Sequence, residues 1–262
     1  MGDGFIFEAC VDSVHSALAA QRGGAGRLEL CANLLVGGTT PSYGLVKMVK
    51  EQVHIPVHVL IRPRSGHFVF SCTELKVMIE DIKMVGQLGV QGVAIGVLTE
   101  DNKINVEQMR ALLEPCGLYR LSVTFHRAFD VLCDPLASLE ILVGLGVDRV
   151  LTSGQEASAV CGIQLIHLLV MKAEGRIGIL PAGGISESNA AQVLRRTGVT
   201  ELHGSVRSML KESVHVLPGD QNTIVWTVDT VKVQKIVSSC NIAAAVDSND
   251  QNIEKRDQYL TS

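Results

Sequence analysis

One pattern recurs eight times along this chain: a short strand-like run, apolar or alternating with period 2, then a stretch with helical spacing of its apolar residues. The strand-like runs are 5–11, 27–31, 57–64, 92–98, 121–130, 149–154, 176–184 and 201–206. The helix-like stretches are 13–22, 44–52, 73–88, 106–114, 135–144, 157–172, 187–196 and 229–240. Strict alternation of this kind needs crossover connections, and so a parallel sheet covered by helices. Eight units point to an α/β fold of one closed (β/α)8 TIM barrel. An open doubly wound sheet is the competitor. The count of eight and the polar residues inside several strands favour closure, and the Gly-x-Gly-x-x-Gly fingerprint of a dinucleotide domain is missing.

Local signals punctuate the units. Asp134-Pro135 and Ser186-Glu187 read as helix starts, the first with proline at the first helical position. Gly89, Gly146, Gly175 and Gly198 follow helices as C-terminal caps do. Two segments depart from the pattern. Residues 209–223 read as an insertion before the last helix, and the polar, non-periodic residues 241–262 as a disordered tail on a barrel domain of residues 1–240.

Composition narrows the partners. Net charge is −4 and the signs are mixed, without a Lys/Arg run or an aromatic-basic patch, which argues against nucleic acid. No apolar run approaches the 18 residues of a membrane span. A first strand from Phe5 is expected to leave no room for a signal peptide. Seven cysteines, an odd number with no Cys-x-x-Cys, argue against a disulfide framework or a zinc ribbon and for a reduced, cytoplasmic protein.

The first two strands echo each other as Glu8-Ala9-Cys10 and Glu29-Leu30-Cys31. Period 2 sends Phe7, Ala9, Leu28 and Leu30 toward the helices and Glu8, Cys10, Glu29 and Cys31 into the barrel, the cysteines nearer its C-terminal mouth. Thiols on neighbouring strands can share one soft ion, and thiolates select Cu(I) over hard cations. The competing role for each cysteine is a small core hydrophobe. Barrel shear leaves the register of the two strands open.

The third strand ends in Arg62-Pro63-Arg64, and two arginines at a barrel mouth suit a carboxylate or phosphate. The alternative is internal, with Arg62 neutralising Glu8 or Glu29. The fifth strand runs into His126, Arg127 and Asp130, where His126 would serve as acid or base, or simply as a hydrogen-bonded barrel histidine. Arg127 and Asp130 would partner it or clamp a loop. Gly183-Gly184 after the seventh strand looks like the barrel phosphate site, although glycine also merely permits a turn. An enzyme built on these residues would be a lyase, isomerase or hydrolase for a small anionic or phosphorylated metabolite. Its acid–base groups would be His126, Glu8, Glu29 and Asp130, and its anion cradle Arg62, Arg64, Arg127, Gly183 and Gly184.

Taken together, Glu8-Ala9-Cys10-Val11-Asp12-Ser13, Arg27-Leu28-Glu29-Leu30-Cys31, Gly37-Gly38-Thr39-Thr40-Pro41-Ser42, Ile61-Arg62-Pro63-Arg64, Thr124-Phe125-His126-Arg127-Ala128-Phe129-Asp130, Val150-Leu151-Thr152-Ser153-Gly154, Gly183-Gly184-Ile185 and residues 203–207 resemble the CutC copper homeostasis family. The resemblance implies a cytoplasmic TIM barrel, in animals also nuclear, that assembles as a homo-oligomer, a dimer or tetramer. It implies a bound copper ion, Cu(I), with Cys10 and Cys31 as its ligands and no firmly attached enzymatic activity. Ala182, Val206 and Asn105 depart from the family's usual Gly, Ala and Asp, away from those ligands.

Overall fold

The computed structural model describes residues 5–209 and 225–260. Its frame is a barrel of eight parallel strands: β1 (Ile6–Val11), β2 (Arg27–Leu30), β3 (Val57–Leu60), β4 (Gly92–Ile95), β5 (Ser122–Phe125), β6 (Arg149–Thr152), β7 (Gly178–Pro181) and β8 (Glu201–Gly204). Hydrogen bonds link them in the order β7-β6-β5-β4-β3-β2-β1-β8, and β7 lies against β8 to close the ring. The helices are α1 (Val14–Arg22), α2 (Tyr43–Gln52), α3 (Cys72–Gln87), α4 (Val106–Leu118), α5 (Pro135–Gly144), α6 (Ile163–Ala173), α7 (Ala190–Thr197) and α8 (Thr230–Leu260). The (β/α)8 reading of the sequence is thus the architecture.

The strands are shorter than their apolar runs, because barrel pairing ends where each chain turns out into a mouth loop. Their outward residues, among them Phe7, Leu28, Leu30, Val59, Ile95, Phe125 and Leu202, are all fully buried under the helices. At roughly 1.5–3 kcal/mol for each buried side chain of this kind, that shell is the main stabilising layer. The helices begin where capping chemistry allows. Asp134 accepts the Ala137 N–H at the start of α5, with Pro135 in the first turn, and Ser71 and Glu74 form a reciprocal capping box on α3. Ser186-Glu187 does not start a helix: the Ser186 and Ser188 hydroxyls pair at 2.9 Å, and α7 begins at Ala190. α6 likewise starts at Ile163, six residues after the expected 157.

Inside the barrel the filling is unusually polar. At the N-terminal end, Arg27 pairs with both Glu8 and Glu201, and Arg149 reaches Glu201 at 3.1 Å and the Ser122 hydroxyl at 2.7 Å. This network closes the floor. After β8 the chain forms a two-stranded antiparallel ribbon, β9 (Arg207–Met209) with β10 (Trp226–Val228), which packs on α1. The expected insertion at 209–223 falls, beyond Met209, outside the described residues. α8 buries Val233, Ile236, Cys240 and Ala243 at helical spacing, and its backbone continues to Leu260 through most of the stretch read as a tail. Among the described residues no helix is long and apolar enough to cross a membrane.

Candidate metal centre

The register of β1 on β2 builds the site. Glu8 lies opposite Arg27 and Cys10 opposite Glu29, so Cys31 sits one pleat nearer the mouth than Cys10. The echo of the two Glu-x-Cys motifs is therefore diagonal rather than face to face. The Cys31 amide donates to the Val11 carbonyl at 2.9 Å, holding the second thiol just beyond the end of β2. Side chains bridge the offset: Cys10 Sγ and Cys31 Sγ stand 3.8 Å apart. Glu29 Oε2 completes a triangle, 3.6 Å from Cys10 Sγ and 3.4 Å from Cys31 Sγ. All three residues are buried, and all seven cysteines of the chain are free.

His203 and Glu8 back this triangle. His203 on β8 sits opposite Glu8 and engages its Oε1 through Nδ1 at 2.7 Å, while Nε2 lies 3.9 Å from Glu29 Oε2. Glu8, Glu29 and His203 form a second group close enough to hold an ion. The charges follow from these contacts. Burial pushes the Glu8 carboxyl up, but Arg27 and then His203 more than reverse it and hold it well below the usual carboxylate range. Burial alone would keep His203 neutral, yet the Glu29 and Glu8 carboxylates and the contact with Cys10 hold its pKa well above the ordinary value. Hydrogen bonding from Cys31 and from His203 lowers Cys10 to about 5 against the opposing effect of burial. Cys31 is raised in turn, first by that same bond and then by burial, and burial lifts Glu29 to about 8. One thiol is thus poised as a thiolate and the other keeps its proton.

The opposite wall holds the remaining sequence candidates. His126 follows β5 rather than ending it, and caps a short 3-10 turn (Arg127–Val131) by accepting the Ala128 N–H on Nδ1 at 3.2 Å. Its ring packs on Phe68 with centroids 5.0 Å apart, and a Cβ on Gly96 would meet it at 2.6 Å, so only glycine fits there. Burial, and then the Arg62 charge, lower its pKa to about 3, and Nε2 is buried without a partner among the described residues. Arg62 spends its terminal nitrogens on the carbonyls of Val36, Gly38 and Gly66, at 3.2, 2.8 and 2.7 Å. Its expected pairing with Glu8 or Glu29 is replaced by Arg27. Arg64 turns to Glu74 and to the carbonyls of Ser65, His67 and Val69. Asp130 binds the Thr152 and Ser153 hydroxyls and the Ser153 amide, and Arg127 pairs with it at 2.7 Å. Gly183 and Gly184 turn with positive φ at the rim.

A cavity of about 280 Å³ joins the two walls, lined by Cys10, Glu29, Cys31 and His203 on one side and by Arg62, His126, Arg127, Gly183 and Gly184 on others. Arg64 and Asp130 do not line it. Sequence reasoning passed over His203 and Arg27. Both lie on the inward alternation of their strands, His203 with Glu201 and Ser205, and Arg27 with Glu29 and Cys31, which is the signal that marks them.

The model of the CutC family matches residues 5–208, which span the whole barrel and every residue of this centre. The chain belongs to the CutC family. A Mus musculus member described as a copper homeostasis protein cutC homolog is 51% identical over 207 residues, covering 79% of this chain and 75% of the relative. A Bacteroides fragilis family protein CutC is 44% identical over 251 residues, covering 90% of this chain and 98% of the relative. Among solved structures, a CutC protein of Streptococcus agalactiae is 36% identical with a TM-score of 0.74, covering 77% of this chain and 98% of that one. The CutC barrel is therefore the frame on which the thiol pair is mounted.

Proposed function

We propose that this CutC-family chain is a copper homeostasis protein that binds Cu(I) through Cys10 and Cys31 at the barrel mouth. The observation that carries the reading is the pair of buried sulfurs 3.8 Å apart, opening on one cavity. Donor chemistry fits the ion: two thiols, one already poised as a thiolate, form a soft set that disfavours hard cations. The name carried by the mouse relative supports the same role. His203 and Arg27 supply compensating positive charge around the anionic donors. Copper chemistry of this kind needs reduced thiols, and the free cysteines support a reducing compartment for the protein, the cytoplasm and in animals also the nucleus. Homo-oligomeric assembly belongs to the same reading.

The enzyme alternative draws less support. His126 is a neutral, loop-capping ring, and both arginines of the Arg-Pro-Arg segment are committed to backbone carbonyls or Glu74. An anaerobic Cu(I) titration against a competing chelator tests the copper reading. One Cu(I) per chain is expected. The Cys10→Ser/Cys31→Ser double variant should lose more than about 100-fold in affinity, the upper range for changes outside the ligand shell. Equal affinity in the two proteins overturns the proposal.

A further inference from the structure

The triangle of donors is more specific than a thiol pair. We propose that Cys10, Cys31 and Glu29 form a three-ligand site for a tetrahedral divalent ion of borderline softness, Zn(II), with its fourth position open to the barrel mouth.

The dimensions argue for it. Tetrahedral zinc has Zn–S bonds of about 2.3 Å and Zn–O bonds of about 2.0–2.2 Å, which set a sulfur–sulfur edge of about 3.8 Å and sulfur–oxygen edges of about 3.5–3.6 Å. The edges here are 3.8 Å between the sulfurs and 3.6 and 3.4 Å from the sulfurs to Glu29 Oε2. An ion could enter the centre of this face with shifts of a few tenths of an ångström at most. A linear ion on the two sulfurs alone, with bonds of similar length, would need them about 4.6 Å apart. Two-coordinate Cu(I) therefore requires the thiols to separate, and a tetrahedral divalent ion does not.

Backbone register places the third donor. Glu29 lies directly opposite Cys10 and two residues before Cys31 on the same face of β2, so the pleat itself assembles the face. Cys31, the ligand nearest the mouth, and the other two donors all line the cavity, and the fourth position faces that space. Three protein ligands with one open position is the pattern of zinc sites that bind a water or a ligand oxygen. His203 stands beside the open position. Its Nδ1 is fixed by Glu8, itself anchored by Arg27, and its Nε2 lies 3.9 Å from Glu29 Oε2, within reach of a metal-bound water. This is the carboxylate–histidine support that metal sites use to orient groups beyond their ligands.

The reading does not depend on copper being the physiological ion, and one experiment separates the two. Co(II) is titrated into the reduced, metal-free wild-type protein as a spectroscopic stand-in for Zn(II), and Zn(II) and Cu(I) affinities are measured on wild type and on Glu29→Gln. The expected result is one Co(II) per chain with the intense d–d bands of a tetrahedral site and a thiolate charge-transfer band, both erased by Zn(II). Glu29→Gln, isosteric with the native side chain, should weaken Zn(II) by more than about 100-fold, beyond the range for groups outside the ligand shell, and leave Cu(I) within about threefold, because a soft ion has little use for the carboxylate. A weak, octahedral Co(II) spectrum in the wild type overturns the inference without reference to any variant. So does an unchanged Zn(II) affinity in Glu29→Gln. A wild-type protein that takes up one tetrahedral divalent ion but no Cu(I) would instead overturn the copper reading and leave this one standing.

Discussion

Cys10, Cys31 and Glu29 on one side of the mouth, and Arg62, His126 and Asp130 on the other, come from equivalent places, at or near the C-terminal ends of barrel strands. Their polar atoms do different things. On the sulfur wall, the compensating charge sits behind the donors, in Arg27, Glu8 and His203, and the donors themselves converge on a point in the cavity. On the facing wall the donors are turned into the protein: Arg62 ties down the loops at Val36–Gly38 and Gly66, and Asp130 ties β6 to the turn after β5. Residue types that read alike in sequence, polar and at strand ends, thus converge on the cavity in one case and serve as scaffolding in the other. What separates them is whether a backbone carbonyl or amide lies closer than the open cavity.

The largest test of this contrast is the charge behind the sulfurs. Arg27→Met removes the partner of the buried Glu8 carboxylate and is expected to cost about 3–5 kcal/mol in urea unfolding, the range for stranding a buried charge. A cost under about 1 kcal/mol would mean that the floor network is not what holds Glu8 ionised. Next comes Asp130→Ala. It strips partners from Thr152 and Ser153, for an expected loss of about 2–4 kcal/mol in stability, with Cu(I) affinity within about threefold of wild type. An affinity drop as large as that of the cysteine variants would merge the two walls into one site.

The smallest effect is a pH dependence. His126 is held at about 3, by burial first and then by Arg62, while the unfolded chain protonates near the ordinary histidine value of about 6.5. A folded pKa below the unfolded one means that the unfolded chain binds the extra proton. The contribution is complete above the unfolded value and drains as the pH falls toward the folded one. Between pH 7 and pH 5 that amounts to about 2 kcal/mol. Unfolding free energies of wild type and His126→Gln at both pH values read it directly: the variant should lose about 2 kcal/mol less on acidification. Equal losses would show that His126 is solvated and chargeable, and would return it to the list of acid–base candidates.

Much of the site was legible. Period 2 along β1 and β2 put Glu8, Cys10, Glu29 and Cys31 inside the barrel, and the free cysteines followed from their odd number and spacing. The same alternation would have included Arg27 and His203, which were passed over because a basic residue at a strand start and a lone histidine near a strand end have common structural uses. Pairing Arg62 with Glu8 or Glu29, the alternative to an anion cradle, rested on the need of buried carboxylates for partners; Arg27 meets that need for Glu8, and Arg62 turns elsewhere. Only the path of the 33–40 loop, which brings the Val36 and Gly38 carbonyls over β3, explains where its guanidinium goes.

By itself the sequence determined the eightfold strand–helix alternation, the inward faces of the strands and the polar and thiol side chains on them, because these depend on local periodicity and residue type. Tertiary structure alone decided that Cys10 meets Glu29 across the strands while its sulfur meets that of Cys31. Register in a closed barrel is set by the shear of the whole ring, a sum over all eight strands that no single stretch encodes. That offset turns two matching motifs into a three-cornered face of two sulfurs and one carboxylate oxygen.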